Sequence, residues 1–477
     1  MVMGSGLWRR TLVACAVVGS LSLAAACTPS SQAAGTEGMG QSSTGGASNQ
    51  VTVAPLTPGA RPTDSTGGPM AATTGDTATV APTSDSTSPT SVSTAPTSDA
   101  TGSIGDPSDP SLPMAAATVT GTPALGSTGV APAEPITLTA EGGTLSWLTF
   151  TNPDGKNVAG ALSDDGTSWT LGEPLGFGKT YTVSGVAVNR AGVQTRINGT
   201  YTTATTKEPV STRISPGDGA VVGVAAPVMI RFGLRADDKA MIEKHVKIVT
   251  DPPVEGAWAW IKHDGDTYPS LDWRPKAYWP AGTKVHVEAN MYGVKFQDGW
   301  YGGSDVSVDF AIGRNQVVKA DAKANKVVVL RDGKVAATYN GSFGMGDRVG
   351  DPNLVTRSGT HVVMSKDAVY KMSNPKYGYE NVTEYWAVRI SNNGEFLHNN
   401  PGTTPWQLAN INKTHGCINL SWNDAKAYFE SAIYGDPVEI TGTSIQLSSA
   451  DGDIYDWAVP WSTWVTMSAL APNSTVT

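Results

Sequence analysis

The chain has 477 residues with 33 Lys and Arg against 42 Asp and Glu, a net charge of −9, and only 16% charged residues beside 53 Gly and 31 Pro. That balance argues against a nucleic-acid binder, which needs a basic face to neutralise phosphates, though it leaves room for a local basic patch. No aromatic stands between Trp8 and Trp147 and Arg61 is the only basic side chain between Cys27 and Glu134, which excludes a fold over the whole length, because such a stretch cannot bury enough apolar area to offset its conformational entropy.

Arg9-Arg10 followed by the apolar run 11–26 reads as an export signal. Leu23-Ala24-Ala25-Ala26-Cys27 closes it and resembles the bacterial lipobox, which implies cleavage before Cys27 and lipid on that residue; an ordinary signal peptide or an uncleaved anchor is the alternative. Beyond residue 30 nothing approaches the roughly 18 apolar residues that span a bilayer. Cys15 leaves with the signal and Cys27 carries lipid, so Cys417 is the one remaining thiol and no intramolecular disulfide can form. An odd cysteine outside the cytoplasm is either paired between chains or free because it reacts.

Residues 27–133 repeat Ala-Pro-Thr-Ser-Asp-like units and read as a disordered tether. As a flexible coil a hundred or so residues span roughly 55–60 Å root-mean-square, enough to hold a globular part off a membrane. From 134 to 209 the pattern becomes short alternating strands, Ile136-Thr137-Leu138-Thr139, Leu145 to Phe150, Thr180-Tyr181-Thr182-Val183 and Gly185-Val186-Ala187-Val188, with turns such as Asn152-Pro153-Asp154-Gly155. A second block, 210–313, carries Pro280-Ala281-Gly282 before Thr283 to Val287 and echoes Pro174 to Val183. Both predict immunoglobulin-like β-sandwiches without the inter-sheet disulfide of antibody domains. Neither shows a cluster of titratable groups, and His245, His263 and His286 read as surface or packing residues.

The third segment, 314–443, begins with Lys326 to Leu330 and Lys334 to Tyr339 around Arg331-Asp332-Gly333, a hairpin signal. Strands are expected at 360–364, 386–390, 395–398 and 438–440, with one main helix over 421–433 capped by Ser421 or Asn423. The expected fold is mainly β throughout. The extension 444–477, with Trp457, Trp461 and Trp464, is too apolar for a free end and is expected to pack back.

The chemistry concentrates in Thr414-His415-Gly416-Cys417-Ile418-Asn419 and in His398 upstream. On an extended strand His415 and Cys417 would share a face. A thiol near pKa 8.5 is mostly protonated at neutral pH, and an adjacent imidazole corrects this by taking the proton. Gly416 gives backbone freedom for amide groups to point at an oxyanion. Zinc would find only three soft ligands here and no fourth, so neither a metal nor a cofactor is expected. Papain-like and NlpC-like peptidases place the cysteine before its histidine, whereas His398 precedes Cys417.

His398, the gap and Thr414-His415-Gly416-Cys417-Ile418-Asn419 resemble the signature of YkuD-type L,D-transpeptidases. The order of lipid signal, tether, two immunoglobulin-like modules, catalytic domain and Trp-rich tail is similar to that of mycobacterial members. The resemblance implies a transferase that builds 3→3 cross-links in peptidoglycan. Cys417 would attack the diaminopimelate carbonyl of a donor tetrapeptide stem, expel D-alanine and form a thioester, which the side-chain amine of an acceptor diaminopimelate resolves. It implies His398 as general base and acid, its ring held by a backbone acceptor at Asn399, with His415 beside the thiolate. Spacing alone leaves open which histidine takes the proton.

The amides of Gly416 and Cys417 would form the oxyanion hole. Asn393, Gly394, Asn399, Thr414 and Asn419 would border the substrate channel. Residues 370–385 would be a lid contributing Met372 and Tyr379. Carbapenems would acylate Cys417, and the enzyme would stand lipid-anchored on the outer face of the cytoplasmic membrane. The sequence departs from the family at Asn399-Asn400-Pro401-Gly402, where a Ser and a nearby Trp are usual; Trp406 comes later. An L,D-carboxypeptidase using the same acyl-enzyme, and a catalytically idle wall-binding lipoprotein, are the competing readings.

Overall fold

The computed structural model describes residues 115–452 and 454–471, all within the compact unit Pro110–Thr477. The expected signal, Cys27 and the tether up to residue 114 lie outside the described residues. The architecture is mainly β: two immunoglobulin-like sandwiches, then a third β-rich domain with one longer helix.

In the first sandwich one sheet orders Thr118–Thr122, Thr137–Glu141, Ser168–Leu171 and Gly160–Leu162. The facing sheet orders Thr128–Val130, Gln194–Thr203, Thr180–Asn189 and Gly143–Thr151. Along Thr180–Asn189 alternate side chains point inward, with Tyr181, Val183 and Ala187 buried, as period two demands of a strand with one face on a core. The two short strands expected there are one, because Gly185 lets the Trp147 carbonyl approach where a Cβ would meet its oxygen at 2.7 Å. Phe150 stacks on Trp169 and Tyr201 at 5.7 and 5.9 Å. These aromatics form the cystine-free core.

The module starts earlier than the expected boundary at 134. Thr118–Thr122 and Thr128–Val130 lie within the stretch that composition assigned to the tether. Both are edge strands of Thr, Gly and Val, so they carry no aromatic signal. Their place comes from partners: Thr118–Thr122 pairs antiparallel with Thr137–Glu141, and the Tyr201 hydroxyl donates to the Pro123 carbonyl at 2.8 Å.

The second sandwich pairs the sheet Thr212–Ser215, Val228–Phe232, Ser270–Pro275, Gly256–Ile261 with the sheet Val221–Val222, Val306–Ile312, Lys284–Ala289, Val246–Asp251. Lys284–Ala289 is an inner strand of its sheet, as Thr180–Asn189 is in the first module, which accounts for the sequence echo. The Trp-rich tail folds back onto this module. Trp464 is 0% exposed and its indole donates to the Ala257 carbonyl at 2.8 Å, while the Trp457 indole reaches the Ala225 carbonyl at 2.8 Å. The Arg274 guanidinium lies 4.7, 5.3 and 4.7 Å from the ring centroids of Trp457, Trp461 and Trp464.

Beneath that cap lies a titratable cluster that the sequence did not disclose. His263 and Asp272 are fully buried and bonded at 2.7 Å between Nε2 and Oδ2, and buried Asp456 joins them from the tail. Burial pulls the His263 ring down, but the Asp272 charge and hydrogen bond outweigh it and hold the ring raised, at about 9. Burial, reinforced by the Asp272 charge, raises the Asp456 carboxyl. Asp456 stands almost two hundred residues from its partners, so no local spacing could announce it.

The third domain faces a five-stranded sheet (Lys334–Asn340, Lys326–Arg331, Gln316–Asp321, Pro437–Thr441, Gly359–Val362) with a four-stranded one (Ser365–Asn374, Tyr379–Arg389, Phe396–Asn399, Ile418–Leu420). Asp332 and Gly333 take φ of 49° and 75° at the expected hairpin, the conformation a two-residue turn needs to match strand twist. Val318, Val327, Val388, Leu397, Ile418, Leu420 and Val438 fill the core. The helix runs Trp422–Ser431, with the Ser421 hydroxyl accepting the Asp424 amide at 3.2 Å, and buries Ala425 and Tyr428. It stops short of 433 because Ala432 turns extended. Short helices such as Pro405–Asn410 were not expected; this one opens on a Thr404–Gln407 capping box.

Candidate active site

Two parallel strands set the site. Phe396–Asn399 pairs with Ile418–Leu420 so that His398 stands opposite Asn419, and Cys417 is the residue just before the second strand. The expected extended run through His415 does not occur. Residues 415 and 416 form a bend, with Gly416 at φ +125°, a left-handed value that side chains rarely adopt. Thr356 pins the bend, its hydroxyl donating to the Gly416 carbonyl at 2.7 Å and accepting the Gly344 amide at 2.8 Å.

The bend separates the two histidines. Cys417 is half-buried, and its thiol donates to the Gly394 carbonyl at 3.4 Å. His398 is 3% exposed and interacts with Cys417. His415 is exposed and makes no hydrogen bond to the thiol; Tyr377 and Tyr379 hold its ring at 5.4 and 5.3 Å between centroids. Partial burial lowers the His415 ring. Burial also acts to lower the His398 ring, but Cys417 and Glu384 outweigh it and push the ring up to about 10.

Two expectations are corrected here. The Nδ1 of His398 makes no hydrogen bond to a backbone acceptor at Asn399; it lies 3.4 Å from Oε2 of buried Glu384, while the Asn399 side-chain amide donates to the Leu420 carbonyl at 3.1 Å. The Gly416 amide donates to Thr414 Oγ1 at 3.2 Å, so of the predicted oxyanion pair the Cys417 amide is the remaining candidate. Thr414 is thereby a loop clamp, since its hydroxyl also donates to the Cys417 carbonyl at 2.6 Å.

The other predicted residues surround this centre unevenly. Gly394 touches the sulfur, and Asn393 sits in the same exposed turn, its amide donating to the Asp451 carbonyl at 3.1 Å. The side-chain amide of Asn419 donates to Thr403 Oγ1 at 2.9 Å, linking the motif to the divergent loop after His398. Met372 pairs opposite Val382 in the hairpin Ser365–Asn374 to Tyr379–Arg389 and is half-buried. Trp406 is 63% exposed on Pro405–Asn410. Sequence reasoning missed Glu384, Tyr377 and Thr356. Glu384 carries one faint signal, a carboxylate inside the β-rich run Val382 to Val388.

Among the described residues the one group able to share a metal ion is His263, Asp272 and Asp456, whose donor atoms lie within 4.8 Å of one another. Arg274 lies near enough to favour ionised Asp456, so this knot already has cationic partners. The active-site donors diverge instead, His398 toward Cys417 and Glu384, His415 toward the tyrosines.

The chain is similar to known proteins in two blocks. Residues 127–295 match a bacterial Ig domain family and residues 315–440 match the L,D-transpeptidase catalytic domain (YkuD). It is 47% identical over 360 residues to L,D-transpeptidase 5 of Mycobacterium tuberculosis (strain ATCC 25618 / H37Rv), covering 76% of this chain and 79% of that protein. It is 34% identical over 346 residues to L,D-transpeptidase 2 of the same species (strain CDC 1551 / Oshkosh), covering 71% of this chain and 82% of that protein. A solved LD transpeptidase in complex with imipenem is 29% identical, covers 49% of this chain and 99% of its own, and superposes with a TM-score of 0.40.

Proposed function

The chain belongs to the L,D-transpeptidase family, and from that premise we propose that it forms 3→3 cross-links in peptidoglycan through a thioester on Cys417. His398 takes the thiol proton, and the sulfur attacks the diaminopimelate carbonyl of a donor tetrapeptide stem. The Cys417 amide steadies the oxyanion. Collapse expels D-alanine, whose amine receives the proton back from His398. The side-chain amine of an acceptor diaminopimelate then resolves the thioester and regenerates the thiol.

One observation carries this reading: the only cysteine among the described residues sits half-exposed at a strand end against a buried imidazole. The test incubates the enzyme with a disaccharide tetrapeptide and follows products by mass spectrometry. Cross-linked dimer with released D-alanine is expected. Trimmed tripeptide alone would make it a carboxypeptidase, and no product and no mass adduct on Cys417 would make it an idle wall-binding protein. A carbapenem carbonyl offers the sulfur the same acylation, so imipenem is expected to add its mass to Cys417. Lipidation of Cys27 on the outer face of the cytoplasmic membrane completes the proposal; a mature amino terminus without acyl mass would remove it.

A further inference from the structure

Resting on the reading of Cys417 and His398 above, we infer that Glu384 is a positioning residue for His398, completing a Cys417–His398–Glu384 line in which the carboxylate fixes the ring's tautomer and favours its protonated form. Glu384 and His398 are each 3% exposed. Oε2 of Glu384 and Nδ1 of His398 lack a hydrogen-bond partner among the described residues and lie 3.4 Å apart. Buried polar atoms are left so only at a cost. The separation is about 0.5 Å longer than a mature N–H···O bond, the slack expected of a catalytic contact that tightens when substrate arrives.

Neighbouring groups fix the direction of the proton. The side-chain oxygen of Asn400 accepts the Gly402 amide at 2.8 Å, which orients its NH2 toward Glu384 Oε1, 2.7 Å away. With Oε1 so held, Oε2 is left to accept from His398 Nδ1–H, and Nε2 is left for the thiol. The backbone is shaped to deliver this carboxylate. A bulge interrupts the pairing of Tyr379–Arg389 with Phe396–Asn399 between Tyr385 and Val388, and Trp386 within it takes φ +53°. Bulges of this kind re-aim side chains beside active sites. Asn400 belongs to the divergent loop noted in the sequence, so that loop and Glu384 form one device.

The titratable groups acting on the ring are Cys417, from the residue before Ile418–Leu420, and Glu384, from Tyr379–Arg389. The charges on the helix packed behind it are engaged elsewhere, Asp424 with Ser421 and Lys426 with Glu430.

The experiment compares full-length wild type with Glu384→Gln and Glu384→Ala. It measures iodoacetamide alkylation of Cys417 against pH by peptide mass spectrometry, imipenem acylation rate, and the His398 titration by NMR. Gln keeps the acceptor for Asn400 but turns an NH2 toward Nδ1, imposing the wrong tautomer. Acylation should therefore fall on the order of 10²–10⁴-fold in Glu384→Gln, and less in Glu384→Ala. The His398 midpoint should drop in both. A merely structural glutamate predicts the opposite order, with Gln rescuing, and an unmoved midpoint; either result overturns the inference. Should Glu384→Gln not fold, Asn400→Ala frees the carboxylate and must lower the midpoint by a smaller amount, or the inference fails. If wild type takes no adduct on Cys417, the nucleophile reading fails instead, while the His398 titration still decides on Glu384.

Discussion

Two of the buried histidine–carboxylate pairs among the described residues are built for different ends. Under the C-terminal cap, His263 and Asp272 are sealed at 2.7 Å with no exposure. In the catalytic domain, His398 and Glu384 stand 3.4 Å apart, and a half-exposed thiol waits on the ring's other side. The first pair has no room to improve and holds two segments together. The second keeps slack and a reactive neighbour, and can gain strength only as charge develops. What separates the working pair from the fastener is the thiol beside the ring, since His361 and Glu395, also buried, stand looser still at 3.8 Å.

The comparison can be broken in four ways, the largest effect first. Cys417→Ala should abolish cross-linking and imipenem adducts while the circular dichroism spectrum and Tm stay put; retained turnover would remove the nucleophile. His398→Ala should lower kcat/KM by about 10²–10⁴-fold, whereas His263→Ala should leave kcat/KM near wild type. The latter should instead cost about 3–5 kcal/mol in urea unfolding, because Asp272 is left buried and unpaired. Exchanged phenotypes would refute the contrast.

Alkaline pH should loosen the fastener. The folded His263 ring, at about 9, lies above an unfolded value near 6.5. Its stabilisation is therefore complete below about 6.5 and disappears as pH rises through 9. Raised Asp456 acts with the same sign at lower pH, since the folded state keeps a proton that the unfolded chain releases. Tm should decline steadily from about pH 5 to 9, with the fluorescence of Trp457, Trp461 and Trp464 following; a rise would contradict the assignment. The smallest effect belongs to His415→Ala. It removes two ring contacts worth roughly 0.5–1.5 kcal/mol each, so KM should rise severalfold with kcat nearly unchanged.

The sequence disclosed whatever is written locally. Strand alternation, the Asp332-Gly333 turn, the Ser421 cap and the spacing from His398 to Cys417 all act over a few residues or a fixed motif. Contacts between distant segments were hidden. Thr118–Thr122 became a strand through its partner at 137–141, and Asp456 met His263 across a domain boundary. Glu384 approached His398 by strand pairing and a bulge. The expected extended run from His415 to Cys417 failed because Gly416 bent the chain.

The turn that holds the sulfur has a mooring outside the catalytic sheets. Asn393 is tied to the Asp451 carbonyl, and Asp451 in turn binds Arg357 at 3.0 Å. Deleting everything past Thr441 would thus cut a line running to the reacting atom, even though every motif residue survived. Such a trimmed protein should alkylate at Cys417 at a changed rate, the result expected if the tail acts as a remote tensioner of that sulfur's resting position.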